Sequence, residues 1–168
     1  MRVVLYMAVS VDGFIARNDD DTSWISRAEW DSYSSRVRQA GCLIIGHRTY
    51  DILTKQPEFT EFKDIKIIVV SQRSVPLLSP GHLLAHSPSE ALTFLKDFHE
   101  AVVAGGSLLN ASFLDENLLD EIYLDIEPVI LGAGVPLFKD KDSAHDLKLV
   151  GIKNISEDEV QLHYEIIK

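Results

Sequence analysis

Short apolar runs, each ending in a polar or glycine-containing turn, recur along the first two thirds of the sequence. Runs that are apolar at nearly every position are typical of strands buried on both faces of a sheet. They predict strands over Arg2–Val9, Cys42–Ile45, Ile65–Val70 and Ala101–Ala104, followed by a longer strand over Glu121–Leu131.

Helical periodicity appears between these runs. The segment Arg27–Ala40 repeats apolar side chains every three or four positions, which places Trp30, Tyr33, Val37 and Ala40 on one stripe. This spacing predicts an amphipathic helix that packs against the sheet.

Shorter helices are predicted over His47–Leu53 and from Ser107 onward, where each follows a glycine at the end of a strand. The stretch Phe14–Ser26 and the polar stretch after Pro57 have no clear periodicity and are predicted as irregular loops.

The last part of the sequence has a different pattern. Two strands are predicted over Leu147–Lys153 and Val160–Ile167, and the second alternates apolar and polar residues as a half-exposed antiparallel strand does. Strands and helices that alternate, followed by strands alone, predict an α/β fold. We expect a central, mostly parallel sheet with helices on both faces and an antiparallel C-terminal edge, in one domain over residues 1–168.

Composition narrows the classes of protein. The 168 residues, 46% hydrophobic and 25% charged, fit one globular domain, and the formal net charge of −10 argues against nucleic acid or an anionic membrane as partner. No apolar run reaches the roughly 18 residues of a membrane helix, and the sequence shows no signal peptide. Cys42 is the only cysteine, and the six histidines lack metal-ligand spacing. We therefore expect a cytoplasmic protein without a metal.

Gly105 and Gly106 stand between a predicted strand and the helix that Ser107 begins. Such a turn brings backbone N–H groups close to an anion, and we interpret that anion as the pyrophosphate of a nicotinamide dinucleotide. The alternative is an ordinary tight turn, because a glycine pair lacks the fuller dinucleotide motif.

Polar or glycine-containing turns follow three more predicted strands, at Ala8–Gly13, Gly46–Thr49 and Ser71–Arg73. In open α/β sheets, ligands bind beyond the carboxyl ends of the strands. Arg48 and Arg73 follow two of these strands, where guanidinium groups would clamp a phosphate ester, although each arginine alone also fits a surface position.

Six segments carry a resemblance to a known family: SVDGFIA (Ser10–Ala16), TSWI (Thr22–Ile25), IGHRTYD (Ile45–Asp51), VVSQR (Val69–Arg73), VAGGSLLNASFLDENLLDEI (Val103–Ile122) and EPVILGAGVPLF (Glu127–Phe138). In this order they resemble the C-terminal reductase domain of bifunctional riboflavin-biosynthesis proteins and its stand-alone dihydrofolate-reductase-like relatives. The resemblance implies a dihydrofolate-reductase-like three-layer fold, NADPH as cofactor and a homodimer.

The resemblance also implies which residues bind NADPH. The residues implied at the pyrophosphate are Gly105, Gly106, Ser107, Leu108 and Leu109. Those implied at the 2′-phosphate and neighbouring phosphates are Arg48, Thr49, Ser71 and Arg73, with Gly46 and Gln72 as further cofactor-binding candidates. The nicotinamide would be held through the backbone of Ala8, Val9 and Ser10.

The substrate is less defined. The N-terminal zinc deaminase of the bifunctional proteins is missing, and the segment TYDILTKQPEFTEF lacks the arginine of their substrate-phosphate motif. The candidate catalytic acids are Asp12, Glu29 and Asp31, and the candidates for the pocket wall are Phe14 and Trp24.

We predict an NADPH-dependent reductase of a small heteroaromatic or carbonyl compound. The alternatives are a non-catalytic NADP-binding module and a nucleotide-binding domain without redox chemistry.

Overall fold

The computed structural model describes residues 1–139 and 144–168. Its elements in chain order are β1 (Arg2–Ser10), β2 (Phe14–Ala16), α1 (Arg27–Ala40), β3 (Cys42–Gly46), α2 (His47–Leu53), a 3-10 helix (Pro57–Phe62), β4 (Lys66–Val70), β5 (Leu83–Ala85), α3 (Pro88–Thr93), β6 (Glu100–Val103), α4 (Ser107–Asp115), β7 (Glu121–Glu127), β8 (Val135–Pro136), β9 (Leu147–Asn154) and β10 (Val160–Ile166).

Eight strands form one sheet in the order β5-β4-β3-β6-β1-β7-β10-β9. The pairs from β5 to β7 are all parallel, whereas β10 runs antiparallel to both β7 and β9. This arrangement confirms the predicted mostly parallel sheet with an antiparallel C-terminal edge. The strands β2 and β8 form a separate two-stranded ribbon.

The central strands are buried on both faces because helices cover each side. On one face, Ile44 and Val103 pack with Phe113 of α4. On the other face, Leu43 packs with Val37 of α1. Burial of each such aliphatic or aromatic side chain stabilises the fold by about 1.5–3 kcal/mol. The two layers of helix fix the strand ends in place.

Helix α1 has the predicted bounds, and local chemistry explains both ends. The Ser26 side chain caps the start by accepting a hydrogen bond from Glu29 N at 3.0 Å. Gly41 ends the helix in the left-handed region at φ 73° and donates its N–H to Val37 O. Of the predicted stripe, Tyr33 and Val37 are buried and the other two residues are half-buried.

Strand β7 is shorter than predicted. It ends at Glu127, whereas the prediction continued to Leu131. Pro128 follows at once, and because proline has no N–H it cannot continue the ladder. The apolar residues beyond Pro128 form a turn instead.

Two segments predicted as loops contain regular structure. The stretch Phe14–Ser26 begins with β2, which pairs with β8, and the stretch after Pro57 is a 3-10 helix. Both elements are too short to produce a recognisable period.

The polar side of β10 is covered at Gln161 and His163 and exposed at Glu165. Gln161 is only 9% exposed, and its amide donates to both Tyr6 Oη and Asp125 Oδ1 at 2.8 Å. The His163 ring stacks on Tyr123 with centroids 4.0 Å apart. The alternation therefore marks a buried polar layer under α1.

In the described part of the chain, no helix is both long and apolar enough to cross a bilayer.

Candidate functional site

The carboxyl ends of β4, β3, β6 and β1 lie side by side at one edge of the sheet. The glycine turns after β3 and β6 touch directly, because Gly46 N donates to Gly105 O at 2.8 Å. The structure therefore brings together the turns in which most of the candidate cofactor residues lie. The groove formed by these four strand ends is called the strand-end groove below.

The Gly105–Gly106 turn leaves the start of α4 open to a ligand. Gly105 has φ +84° and the peptide between the two glycines is cis. Gly106 caps α4 without any side-chain hydrogen bond. Ser107 Oγ is buried and has no hydrogen-bond partner among the described residues. An anion that accepts from the first N–H groups of α4 and from Ser107 Oγ fits these unsatisfied donors.

Leu108 and Leu109, the next two residues of α4, differ in their exposure. Leu108 is 63% exposed, whereas Leu109 is 6% exposed and packs with the α4-side core. Only Leu108 among these two presents its side chain to solvent.

Two arginines lie near the groove, and they differ in whether a carboxylate pairs with them. Arg48 is 69% exposed and forms an ion pair with Asp20, which belongs to the loop between β1 and α1. Arg73 is also exposed, and no carboxylate of the described residues pairs with it. A phosphate group at Arg48 would have to displace Asp20.

The turn after β4 is held by its own side chains. Ser71 is buried, and its Oγ accepts from Arg73 N at 3.1 Å. The Gln72 amide donates to His86 O, so this side chain is directed toward β5 and not into the groove. Thr49 Oγ1 lies 3.4 Å from where a Cβ on Gly106 would stand, which places it at the glycine turn.

The end of β1 is closed by a clasp centred on Asp12. Ser10 Oγ donates to Asp12 Oδ1 at 2.7 Å, and the carboxylate also accepts from Leu131 N at 3.1 Å and Gly132 N at 2.7 Å. These hydrogen bonds, with the Ser10 hydroxyl first, lower the pKa of Asp12. The geometry therefore makes Asp12 a stable anion that joins two turns, and it does not favour Asp12 as a proton donor. Ala8 and Val9 are buried beside it.

Phe14 and Trp24 lie on the segment that joins β1 to α1, and both are half-buried. Phe14 N donates to Ser10 Oγ at 2.9 Å, and Trp24 Nε1 donates to Asp21 O at 3.3 Å. Phe14 is therefore tied to the end of β1, whereas Trp24 bonds within its own loop.

The two acidic candidates on α1 have opposite environments. Asp31 has a side chain that is 60% exposed and paired with Arg27, so it points away from the sheet. Glu29 is 5% exposed. Burial raises the pKa of Glu29 well above its usual value, and nearby Asp125 and Glu127 raise it further. Glu29 is therefore the candidate that reaches the interior.

Four carboxyl groups meet at this point, and we call Glu29, Asp125, Glu127 and Glu159 the carboxyl cluster. Burial is the main cause that raises the pKa of Asp125 and of Glu127, and Glu159 raises both further. Burial and mutual repulsion therefore act in the same direction and favour the protonated forms of Glu29, Asp125 and Glu127.

Hydrogen bonds fix two members of the cluster. Asp125 accepts from Tyr6 Oη at 2.6 Å and from Gln161. Glu127 Oε1 accepts from Ser26 N at 2.8 Å, which ties the start of α1 to β7. Sequence reasoning missed Asp125, Glu127 and Glu159. The available signal was two acids at alternate positions of one strand, which places both on the same face.

The RibD C-terminal domain model matches residues 1–161, and the chain therefore belongs to this family of reductase domains. Its fold is the dihydrofolate-reductase-like one of that domain.

Individual relatives cover nearly the whole chain. The uncharacterized protein YwjB of Bacillus subtilis is 30% identical over 170 residues, which is 97% of each protein. A putative riboflavin biosynthesis protein from Shewanella sp. PV-4 has a TM-score of 0.79 at 21% identity, with full coverage of both chains. A Thermotoga maritima diaminohydroxyphosphoribosylaminopyrimidine deaminase/5-amino-6-(5-phosphoribosylamino)uracil reductase has a TM-score of 0.74 at 18% identity, covering 99% of this chain and 56% of that one.

Proposed function

We propose that this protein is an NADPH-dependent reductase of a small heteroaromatic or carbonyl compound. Membership of a family of reductase domains supports the reaction class. The observation that supports NADPH as the cofactor is made at the start of α4. There, uncapped N–H groups adjoin the buried hydroxyl of Ser107, which has no hydrogen-bond partner among the described residues. Unsatisfied donors at this point suit a pyrophosphate.

The residues that would hold the cofactor follow the strand-end groove. The glycine turn and Ser107 would bind the pyrophosphate, with Thr49 beside them. Arg73 and Arg48 would bind the 2′-phosphate, Arg48 after release from Asp20. The backbone of Ala8–Ser10 would hold the nicotinamide amide. When bound, NADPH supplies the hydride.

Reduction also needs a proton, and Glu29 is the group we propose to hold it. Its buried carboxyl has a raised pKa, so it remains protonated at a pH where an exposed glutamate is ionised. Its neighbours Asp125 and Glu127 pair in register with Ala8 and Ser10 of β1, next to the proposed nicotinamide position. Hydrogen bonds lower the pKa of Asp12, and the exposed Asp31 side chain pairs with Arg27 away from the interior.

Titration with NADPH, monitored by fluorescence, tests whether the protein binds this cofactor. We expect binding by the wild type and at least about tenfold weaker binding by Gly106→Ala, since a methyl group blocks the approach of a phosphate to the backbone. Gly106 has a negative φ and room for a Cβ, so the variant should fold. Gly81→Ala, in an open loop, is the matched control.

No NADPH binding at millimolar concentration would overturn the proposal. Binding without oxidation of NADPH by any member of a substrate panel would favour the non-catalytic module instead.

A further inference from the structure

One ion pair joins the loop that leads into α1 to the strand-end groove. Residues 17–25 lie between β2 and α1, and the carboxylate of Asp20 in this loop pairs with the guanidinium of Arg48 on α2. The first turn of α2 carries no acidic residue, so the counter-ion of Arg48 comes from a distant loop. Thr49, the next residue, lies at the Gly105–Gly106 turn, so this part of α2 borders the groove.

The backbone of the 17–25 loop presents Asp20 at the tip of a tight turn. Arg17 N donates to Asp21 O and Asp20 N donates to Arg17 O, both at 3.0 Å, and the side chains of Arg17 and Asp21 form an ion pair at 3.2 Å. Asp20 has φ +67°, in the left-handed region that aspartate and asparagine adopt more readily than most residues. The loop is therefore organised by its own contacts, and the pair with Arg48 attaches it to a second element.

The carboxylate of Asp20 occupies a guanidinium that the proposed function assigns to a phosphate. No carboxylate of the described residues pairs with Arg73, so a 2′-phosphate would find Arg73 available and Arg48 already bound. A guanidinium binds carboxylate and phosphate through the same planar set of N–H donors, so the two anions compete for Arg48. A cofactor without the 2′-phosphate does not enter this competition.

The exposure of the pair allows a phosphate to displace the carboxylate. The side chains of Arg48 and Asp20 are 69% and 29% exposed. Ion pairs with this exposure contribute little to stability, because solvent screens the charges and two long side chains must be ordered. A phosphate that is also held by Arg73 makes charge-assisted hydrogen bonds to two guanidinium groups, so it can take Arg48 from Asp20.

We propose that Asp20 competes with the cofactor's 2′-phosphate for Arg48, and that binding of this phosphate releases the 17–25 loop from α2. The inference rests on the proposed NADPH-dependent function for the identity of the ligand. Because such coupling is reciprocal, the free energy that the loop gains from Arg48 in the free protein is lost from the affinity for NADPH. Cofactor binding thereby frees the segment that precedes α1, the helix of the proposed proton donor Glu29.

Affinities for two pairs of ligands test the competition: NADPH with NADH, and adenosine 2′,5′-bisphosphate with adenosine 5′-monophosphate. The members of each pair differ only in the 2′-phosphate. We expect Asp20→Asn to bind NADPH and the bisphosphate about two- to fivefold more tightly than the wild type, as for loss of an exposed ion pair, and to bind NADH and the monophosphate equally.

Asp51→Asn is the matched control, because Asp51 is an exposed acid one turn further along α2 and the variant makes the same change of net charge. It should leave the preference for the bisphosphate over the monophosphate unchanged. Asparagine tolerates the left-handed backbone of position 20, so Asp20→Asn should keep the shape of the loop. Thermal unfolding verifies that both variants are folded.

Hydrogen exchange of the amides in residues 17–25 measures release of the loop directly. In the wild type the bisphosphate should speed this exchange and the monophosphate should not, because a loop that loses an attachment opens more often. Asp20→Asn should exchange fast without a ligand and should not respond to the bisphosphate. Exchange that the bisphosphate leaves unchanged or slows in the wild type would overturn the proposal.

The outcomes separate the two proposals. If NADPH is bound and oxidised, but Asp20→Asn prefers the bisphosphate no more than the wild type does, the role of Asp20 is wrong and the reductase proposal stands. If Asp20→Asn binds the bisphosphate more tightly, but no substrate leads to oxidation of NADPH, the reductase proposal fails and the competition at Arg48 stands.

Discussion

Glu29 occupies the first turn of α1, where an acid is expected on helix-dipole grounds alone. Its neighbour Asp31 follows that expectation and remains at the surface. Glu29 is instead buried against three carboxyl groups, a fact that depends on β7 and β10, more than 90 residues away in sequence. The sequence predicted both acids as candidates, but only the three-dimensional neighbours distinguish them.

The raised pKa of Glu29 makes a prediction about stability. Its protonated form is favoured in the folded state, so its stabilising contribution is complete below the unfolded pKa of about 4.3 and is lost as pH rises through the higher folded value. Glu29→Gln cannot ionise. The Tm of Glu29→Gln relative to the Tm of the wild type should therefore increase as pH rises from 5 to 8. The increase should be about 3–6 °C per pH unit between the unfolded and folded pKa values of Glu29.

Differential scanning calorimetry across this pH range measures the effect. Asp31→Asn is the control, because it makes the same change of charge at an exposed position of the same turn. A Tm difference for Glu29→Gln that stays constant from pH 5 to 8 would contradict the raised pKa.

Arg48 and Arg73 carry the proposed preference for NADPH over NADH. Replacing either with alanine should weaken NADPH at least about tenfold and change NADH little, because only NADPH has the 2′-phosphate. Titration of both cofactors by fluorescence compares them. Arg38→Ala, an exposed arginine paired with Glu61, is the control. An equal loss of affinity for both cofactors would refute the assignment.

Elements with local signals were predicted well. The bounds of α1 and α2 agree with the prediction, and in α1 the Ser26 cap and Gly41 act within one turn of the helix end. The wrong predictions concern residues whose contacts are distant in sequence. The alternation of β10 was interpreted as a solvent-facing polar side, but Gln161 bonds to Tyr6 and Asp125 on two other strands. An alternation of apolar and polar residues does not show whether the polar side faces solvent or a buried polar layer.

Across the whole molecule, the groove at the strand ends was predictable and the carboxyl cluster was not. Parallel strands gather their carboxyl ends at one edge, so turn residues that are far apart in sequence must meet there. The cluster instead depends on how a helix, the strand β7 and the start of the antiparallel ladder between β7 and β10 pack together. Asp125 and Glu127 do stand at alternate positions, but which face they share, and what lies over it, is a property of the assembled sheet.

The exposed edge strand β9 leads us to propose that two copies of the protein associate. Leu147, Leu149, Val150 and Ile152 are 41%, 50%, 53% and 63% exposed. An apolar edge strand of this length is normally covered by a partner, and a second copy agrees with the homodimer expected from the family resemblance.

Light scattering after size-exclusion chromatography tests this proposal. The wild type should elute as a dimer and Ile152→Lys as a monomer, since a charge at the centre of an apolar interface is costly to bury. Lys148→Gln, an exposed position on the same strand, should remain dimeric. A wild type that is monomeric at tens of micromolar would overturn the proposal.

The carboxyl cluster and the strand-end groove share almost no part of the chain. Turns after β1, β3, β4 and β6 form the groove, whereas α1, β7 and the residue just before β10 supply the cluster. Only β1 borders both. Substitutions on α1 and β7 can therefore alter the cluster without changing the turns that form the groove. The two parts can diverge independently within one scaffold, which makes the domain a practical starting point for directed evolution.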